Sequence, residues 1–269
     1  MSKWKSKGDK GIKRKDNMLD FNKIYNEDYL VGLQRVPDKS VDLVVTDPPY
    51  LFVKGGMKSK KLNRGTKSPE NYINTDMSDF GEEKITCMLD AISPKFKNGF
   101  NGYFFCSEMQ LAYYLQYALK NKLKYNVLLW DRGVSNMISY KFFRSHVDYI
   151  VRLYSKGVSL NKVISDRPND MYAKIKYGMR PKKGHASAKP IEIVQDFIKI
   201  SSKENDIVLD PFIGGGTTAL ACIRENRRFI GFEINKEYFD LSQEAIKSQL
   251  PPPKGRGILA QIYNELILQ

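Results

Sequence analysis

The sequence predicts an α/β protein built on a doubly wound, mostly parallel sheet. Short apolar runs at 41–46, 102–106, 125–130 and 207–210 read as buried parallel strands. Stretches with helical spacing alternate with them, as at Ile85, Met88, Leu89 and Ile92. Two of the strands end abruptly in turn chemistry, Asp47-Pro48-Pro49-Tyr50 after one and Asp210-Pro211-Phe212-Ile213-Gly214-Gly215-Gly216-Thr217-Thr218 after the other. Open α/β sheets bind ligands at the carboxyl ends of their strands, so these two turns are the first places to seek a site.

Residues 1–18 carry seven Lys and Arg against Asp9 and Asp16, with two glycines and little apolar content, and read as a disordered basic arm. A short strand at 21–26 leads to a helix running to about residue 35, for which Asp28 is a suitable N-cap. The strand at 41–46 follows the turn at 37–40. From 51 to 79 no period is sustained; Lys54, Lys58, Lys60, Lys61, Arg64 and Lys67 occur with no acid until Glu70. A glycine-containing basic loop beside a ligand-binding turn suits a phosphate backbone, and an exposed solubilising loop is the plainer alternative. Helices are expected at 82–92 and 111–119, and strands at 102–106, 125–130 and 146–154, with His146 a structural residue. Residues 155–183 turn irregular and basic again, with Lys174, Lys176 and Arg180 among eight cations. Then come His185, Lys189 and Pro190 ahead of an amphipathic helix at 191–200, with proline suited to its first turn. Strands at 207–210 and 228–235, a helix at 219–225 and another at 237–250 complete the alternation. The prolines at 251–253 begin a linker to an amphipathic segment, 258–268.

A chain of 269 residues suits one large domain with insertions. Its formal net charge of +14, clustered in the segments above, points to nucleic acid. Cys87, Cys106 and Cys222 lack disulfide or ligand spacing and read as core thiols of a reducing cytoplasm, with no metal expected. No apolar run approaches the ~20 residues of a membrane span, and no secretory leader is evident.

The tetrapeptide at 47–50 presents a carboxylate, a proline carbonyl and an aromatic face together. Prolines cannot continue a ladder and hold the chain extended, so these groups stay at the strand end. Two acceptors beside a flat ring suit the exocyclic amine of a planar base stacked on Tyr50. The glycine turn at 214–216, between a strand and a helix, lets a ligand approach the backbone, and its spacing is not that of dinucleotide folds. An acid ending the next strand, Glu233, can take ribose hydroxyls.

Asp47-Pro48-Pro49-Tyr50 resembles motif IV of the S-adenosylmethionine-dependent amino-methyltransferases, which methylate the exocyclic nitrogen of adenine or cytosine. Asp210-Pro-Phe-x-Gly-x-Gly-Thr resembles their motif I, and the His185 to Pro190 segment their motif X. The order, with motif IV before X and I, is that of the β group of DNA enzymes. The resemblance implies a seven-stranded, Rossmann-like methyltransferase fold over about 19–250, with a small basic recognition insertion at 155–183. It implies cofactor contacts from Asp28, His185, Lys189, Pro190, Asp210, Pro211, Phe212, Gly214, Gly216, Thr217, Thr218, Glu233 and Asn235. Asp28 thus carries two readings that do not exclude each other. Aspartate at 47 favours adenine N6. Cytosine N4, RNA, or a silent nucleic-acid-binding module are the alternatives. The implied partner is duplex DNA with an extruded adenine; a cognate restriction nuclease and a homodimer through the terminal helix stay open.

Overall fold

The computed structural model describes residues 19–51, 79–131, 147–161, 175–176 and 189–249. The N-terminal half contributes β1 (Lys23–Tyr25), α1 (Tyr29–Leu33), β2 (Leu43–Thr46), α2 (Glu82–Ile92), β3 (Asn101–Cys106), α3 (Glu108–Lys120) and β4 (Lys124–Asp131). The remainder contributes β5 (Val147–Tyr154), β6 (Ile175–Lys176), α4 (Ile191–Ser201), β7 (Ile207–Asp210), α5 (Thr217–Arg224), β8 (Arg228–Phe232) and α6 (Lys236–Gln249).

These strands form one sheet in the order β1-β8-β7-β2-β3-β5-β4-β6. Every pairing is parallel except those that β5 makes with β3 and β4. From β7 the chain winds outward to β8, and from β2 it winds the other way to β3. The sheet order therefore reverses between β7 and β2, which are neighbours with Leu43 opposite Val208 and Val44 opposite Leu209. A crevice opens at the carboxyl ends of strands at such a reversal.

The pleat explains why these strands read as continuous apolar runs. Leu43 and Val45 point to one side with Tyr103 and Phe105, where α4, α5 and α6 pack through Ile193, Phe197, Ala219 and Ile246. Val44 points to the other with Phe104 and Cys106, where α1, α2 and α3 pack through Leu33, Ile85, Met88 and Tyr114. Both faces are covered, so no strand residue between them can be polar without a partner. Tyr103 and Phe197 stack with centroids 4.2 Å apart, and the Tyr103 hydroxyl meets Ser201 Oγ at 2.7 Å.

Several expectations need correction. The sheet has an eighth strand, β6, which pairs with Trp130 and Asp131. At two residues it is too short to show a period, and Lys176 lies on it. Helix α3 starts at Glu108 rather than 111, because Ser107 and Gln110 form a reciprocal capping box. Cys87 is exposed, while Cys106 and Cys222 are buried; Cys87 sits on the outer side of α2, one residue from the core position Met88. Among the described residues no helix is long and apolar enough to cross a membrane. The basic arm, His146 and the segment at 258–268 lie outside the described residues.

Phe197 is fully buried against Tyr103. Phe197→Ala should lower stability by about 3–5 kcal/mol in denaturant unfolding, through lost burial and the cavity left behind.

Candidate active site at the carboxyl edge of the sheet

The two turns singled out from the sequence meet at the reversal point. Thr46, the last residue of β2, donates to Asp210 Oδ1 at 2.6 Å, across 164 residues of chain. Asp210 also accepts from the Phe212 amide at 3.0 Å and from the Thr218 hydroxyl. Its carboxyl is only 3% exposed, and burial pushes its pKa up to about 6 against the restraint of these hydrogen bonds. Asp210 therefore fastens the glycine turn to both strands. Pro211 is buried beneath it, and Phe212 packs between Tyr29, centroids 4.6 Å apart, and Phe80, at 5.3 Å and edge-on.

The turn itself uses glycine where only glycine is comfortable. Gly214 and Gly216 have φ of +51° and +86°. A Cβ on Gly214 would meet only the Phe212 carbonyl oxygen, at 4.0 Å, so this part of the turn faces open space. On the other side, a Cβ on Gly216 would press on Ser242 of α6 at 3.1 Å. Gly216 caps α5, whose first residues Thr217 and Thr218 follow directly. Glu233, just beyond β8, accepts from the Gly214 amide at 3.0 Å and the Asn235 amide at 2.7 Å. Burial raises its pKa, opposed by these backbone bonds. Asn235 caps α6, accepting from Glu237 at 2.8 Å and Tyr238 at 3.3 Å. Asp28 caps α1 by accepting from the Leu30 amide at 2.8 Å. These three polar residues thus hold the rim in shape through the backbone, and carboxylate oxygens keep further lone pairs for a ligand.

On the β2 side, Pro48 is buried and Tyr50 has a half-buried ring with a buried hydroxyl. Burial first, then the charge of Asp47, holds the Tyr50 hydroxyl well above its ordinary pKa, so it stays neutral. Asp47 Oδ2 pairs with the Lys189 ammonium at 2.5 Å. Asp47 Oδ1 is buried and has no donor in good hydrogen-bonding geometry among the described residues, although the Tyr50 hydroxyl interacts with the Asp47 carboxylate. A buried carboxylate oxygen short of donors is costly, and at a sheet's ligand-binding edge it marks a place for a donor. Lys189 also lies 5.0 Å from the Tyr50 ring centroid and 5.2 Å from that of Phe105.

Some contributors were not foreseen. Gln110 is 1% exposed, and its amide donates to the Pro49 carbonyl at 2.8 Å and the Phe80 carbonyl at 2.9 Å. It pins the end of the tetrapeptide to the point where the chain re-enters after residue 78. The pattern Ser107-x-x-Gln110 was readable as a capping box, though not its second task. Asp148 on β5 stands near enough to Tyr50 and Cys106 to raise the pKa of both, after burial itself. His185, Lys54, Lys58, Lys60, Lys61, Arg64, Lys174 and Arg180 lie outside the described residues, and Pro190 caps α4.

Two outcomes follow. Gln110→Ala should cost about 1–3 kcal/mol by orphaning buried carbonyls, and should lower turnover more than ligand affinity, as measured by unfolding and steady-state assays. Asp210 has a folded pKa raised above 3.8, so the folded state binds protons more tightly and its stability falls as pH rises from about 4 to about 6. Asp210→Asn, nearly isosteric and neutral, should lack that fall. The difference in Tm between variant and wild type should therefore shift in the variant's favour across this window, and a constant difference would contradict the buried-acid account.

The arrangement offers donor-seeking acceptors and an aromatic plate beside an open glycine turn. The DNA methylase family model N6_N4_Mtase matches residues 41–244, which contain both turns. The Type II methyltransferase M.BglII of Bacillus subtilis is 27% identical over 85% of this chain and 69% of its own length. The Type II methyltransferase M.HpaI of Haemophilus parainfluenzae is 26% identical over 81% of this chain and 72% of its own. Among solved structures, the M1.HpyAVI complex with S-adenosylmethionine superposes with a TM-score of 0.60 at 22% identity, covering 82% of this chain and 98% of that one. PvuII DNA methyltransferase, cytosine-N4-specific, gives 0.62 at 19% identity, covering 93% of each. The structural likenesses speak for the fold, and the family match over most of the chain decides its membership: the chain belongs to the N6/N4 family of DNA methylases.

Proposed function

We propose that this protein methylates the N6 amine of adenine in DNA with S-adenosylmethionine as donor. The observation that carries the reading is the half-buried Asp47 carboxylate at the end of β2, set beside the half-buried ring of Tyr50. An aromatic amine has two N–H donors, and Asp47 together with the Pro48 carbonyl would take them while the ring stacks on Tyr50. The neutral Tyr50 hydroxyl keeps a second negative charge off this plate.

The cofactor supplies an electrophilic methyl group. The residues present fit it: the turn is open at Gly214, where a side chain would take up the space, and Glu233 and Asp28 stand on the same rim. We assign the cofactor to Asp28, Gly214, Gly216, Thr217, Thr218, Glu233 and Asn235 directly. Asp210, Pro211 and Phe212 shape the turn from beneath. His185 and Pro190 are assigned to the cofactor through their resemblance to motif X, whereas Lys189, which the same resemblance also gives to the cofactor, pairs with Asp47. Accepting the N–H bonds, Asp47 would raise the electron density on the amine nitrogen, whose lone pair would form the new C–N bond as the cofactor's sulfur–methyl bond breaks and the sulfur leaves as a neutral thioether. Asp47 is also the base nearest the proton that the amine then sheds. Catalysis on this account is positioning and electrostatics.

The basic segment 52–78 leaves the sheet at Leu51 and returns at Asp79, both ends adjoining this edge. We assign Lys54, Lys58, Lys60, Lys61 and Arg64 to phosphate contacts, with Lys174, Lys176 and Arg180 in the recognition segment. The relatives named above are Type II methyltransferases. On that footing the chain is the modifying half of a restriction pair or acts alone.

The test is to incubate the protein with isotopically labelled S-adenosylmethionine and mixed-sequence DNA, then to identify the methylated nucleoside by mass spectrometry. N6-methyladenine is expected; N4-methylcytosine would overturn the base assignment. Asp47→Ala should lower transfer by at least about 100-fold with cofactor affinity nearly unchanged. Turnover that survives the substitution would overturn the role of Asp47.

A further inference from the structure

Lys189 stands where the target amine is expected. Its ammonium is 2.5 Å from Asp47 Oδ2, 5.0 Å from the Tyr50 centroid and 5.2 Å from the Phe105 centroid. The side chain is only 8% exposed. Like an aromatic amine, it donates to Asp47 and rests against the Tyr50 ring. Nothing about helix stability asks for it there. Lys189 directly precedes the cap of α4, and the positive end of a helix disfavours a cation. The ammonium is held instead by the carboxylate and by two aromatic faces, an arrangement that suits a cation shielded from water.

We propose that Lys189 is a place-holder for the substrate amine: it occupies the amine subsite until the extruded base displaces it from Asp47 and Tyr50. The inference rests on the reading of Asp47 and Tyr50 as the base-binding pair. In the resting protein the lysine compensates the charge of Asp47 and keeps the carboxylate aimed into the pocket. On base entry the ammonium withdraws, and the amine inherits a preformed acceptor together with the ring face. The lysine and the base are then competitors for one place. Lys189 is a positioning residue in this scheme, and its removal has an effect opposite in sign to the loss of an ordinary contact. A hydrogen bond to a charged group is of the order that changes affinity about tenfold. Removing the competitor should therefore tighten apparent DNA binding by up to that factor.

The experiment compares wild type, Lys189→Met and Lys189→Arg. S-adenosylmethionine affinity is measured by calorimetry, and KM for DNA and kcat with labelled cofactor at saturation. The expected result is cofactor affinity within about threefold of wild type and a KM for DNA about tenfold lower in Lys189→Met. Lys189→Arg should restore a KM near the wild-type value, because it returns a charged competitor. Lys189→Gln serves where the methionine variant fails to fold, since its amide keeps a donor on Asp47 without the charge. A KM that is unchanged or raised would overturn the proposal, as the lysine would then stay on Oδ2 while the base takes Oδ1. Loss of cofactor affinity would overturn it too, by assigning the ammonium to the cofactor. A wild type that transfers no label to DNA would overturn the substrate reading itself, and so is distinct from both results.

Discussion

The parallel pairing of β2 with β7 is the constraint on which the rest of this structure depends. It joins chain segments more than 160 residues apart and sits where the sheet reverses its winding order. The Thr46 to Asp210 hydrogen bond locks the ends of the two strands at one level, 2.6 Å apart. Everything chemical follows from that alignment. The tetrapeptide leaves one strand and the glycine turn leaves the other, so the Asp47 carboxylate and the open turn at Gly214 face the same crevice. A register slip between these strands would turn each buried side chain to the opposite face and separate the two halves of the site. The apolar packing on both faces of the sheet guards against that slip more strongly than the single hydrogen bond does.

Electrostatics at this edge are managed by sharing few groups among many tasks. Asp210 is buried with a raised pKa and spends its oxygens on the fold. Glu233 spends lone pairs on the Gly214 and Asn235 amides, yet faces the open turn that they shape. Asp47 has one oxygen on Lys189 and one with no donor in good hydrogen-bonding geometry among the described residues. The carboxylates at this edge are thus told apart by burial and hydrogen bonding rather than by residue type. The same difference makes Asp47 the group best poised to accept a new donor, because its rivals are already engaged.

Much of this was legible in the sequence. The turns at 47–50 and 210–218 announce themselves because proline and glycine in those positions have few uses other than ending a strand and opening a backbone. The alternation of apolar runs with helical periods gave the doubly wound sheet, and the order of the two turns in the chain suggested the family. What escaped has a physical reason in each case. Strand β6 is two residues long and shows no period. Cys87 looked like a core thiol by its neighbours, but a helix turns 100° per residue and puts it outside while Met88 is fully buried. Gln110 and Asp148 act through contacts distant in sequence, across 61 residues from Gln110 to Pro49. Lys189 was placed at the site through its motif, while its pairing with Asp47, 142 residues away, belongs to the tertiary structure alone.

On the proposed function, the half-buried carboxylate of Asp47 receives the amine of an extruded adenine. The most direct measurement is a structure of the protein with duplex DNA containing its target and a cofactor analogue that cannot transfer methyl. The account predicts the adenine N6 within about 2.7–3.2 Å of Asp47, the ring against Tyr50, and the Lys189 ammonium no longer on the carboxylate. A base held with its amine turned away from Asp47 would contradict the account at its root.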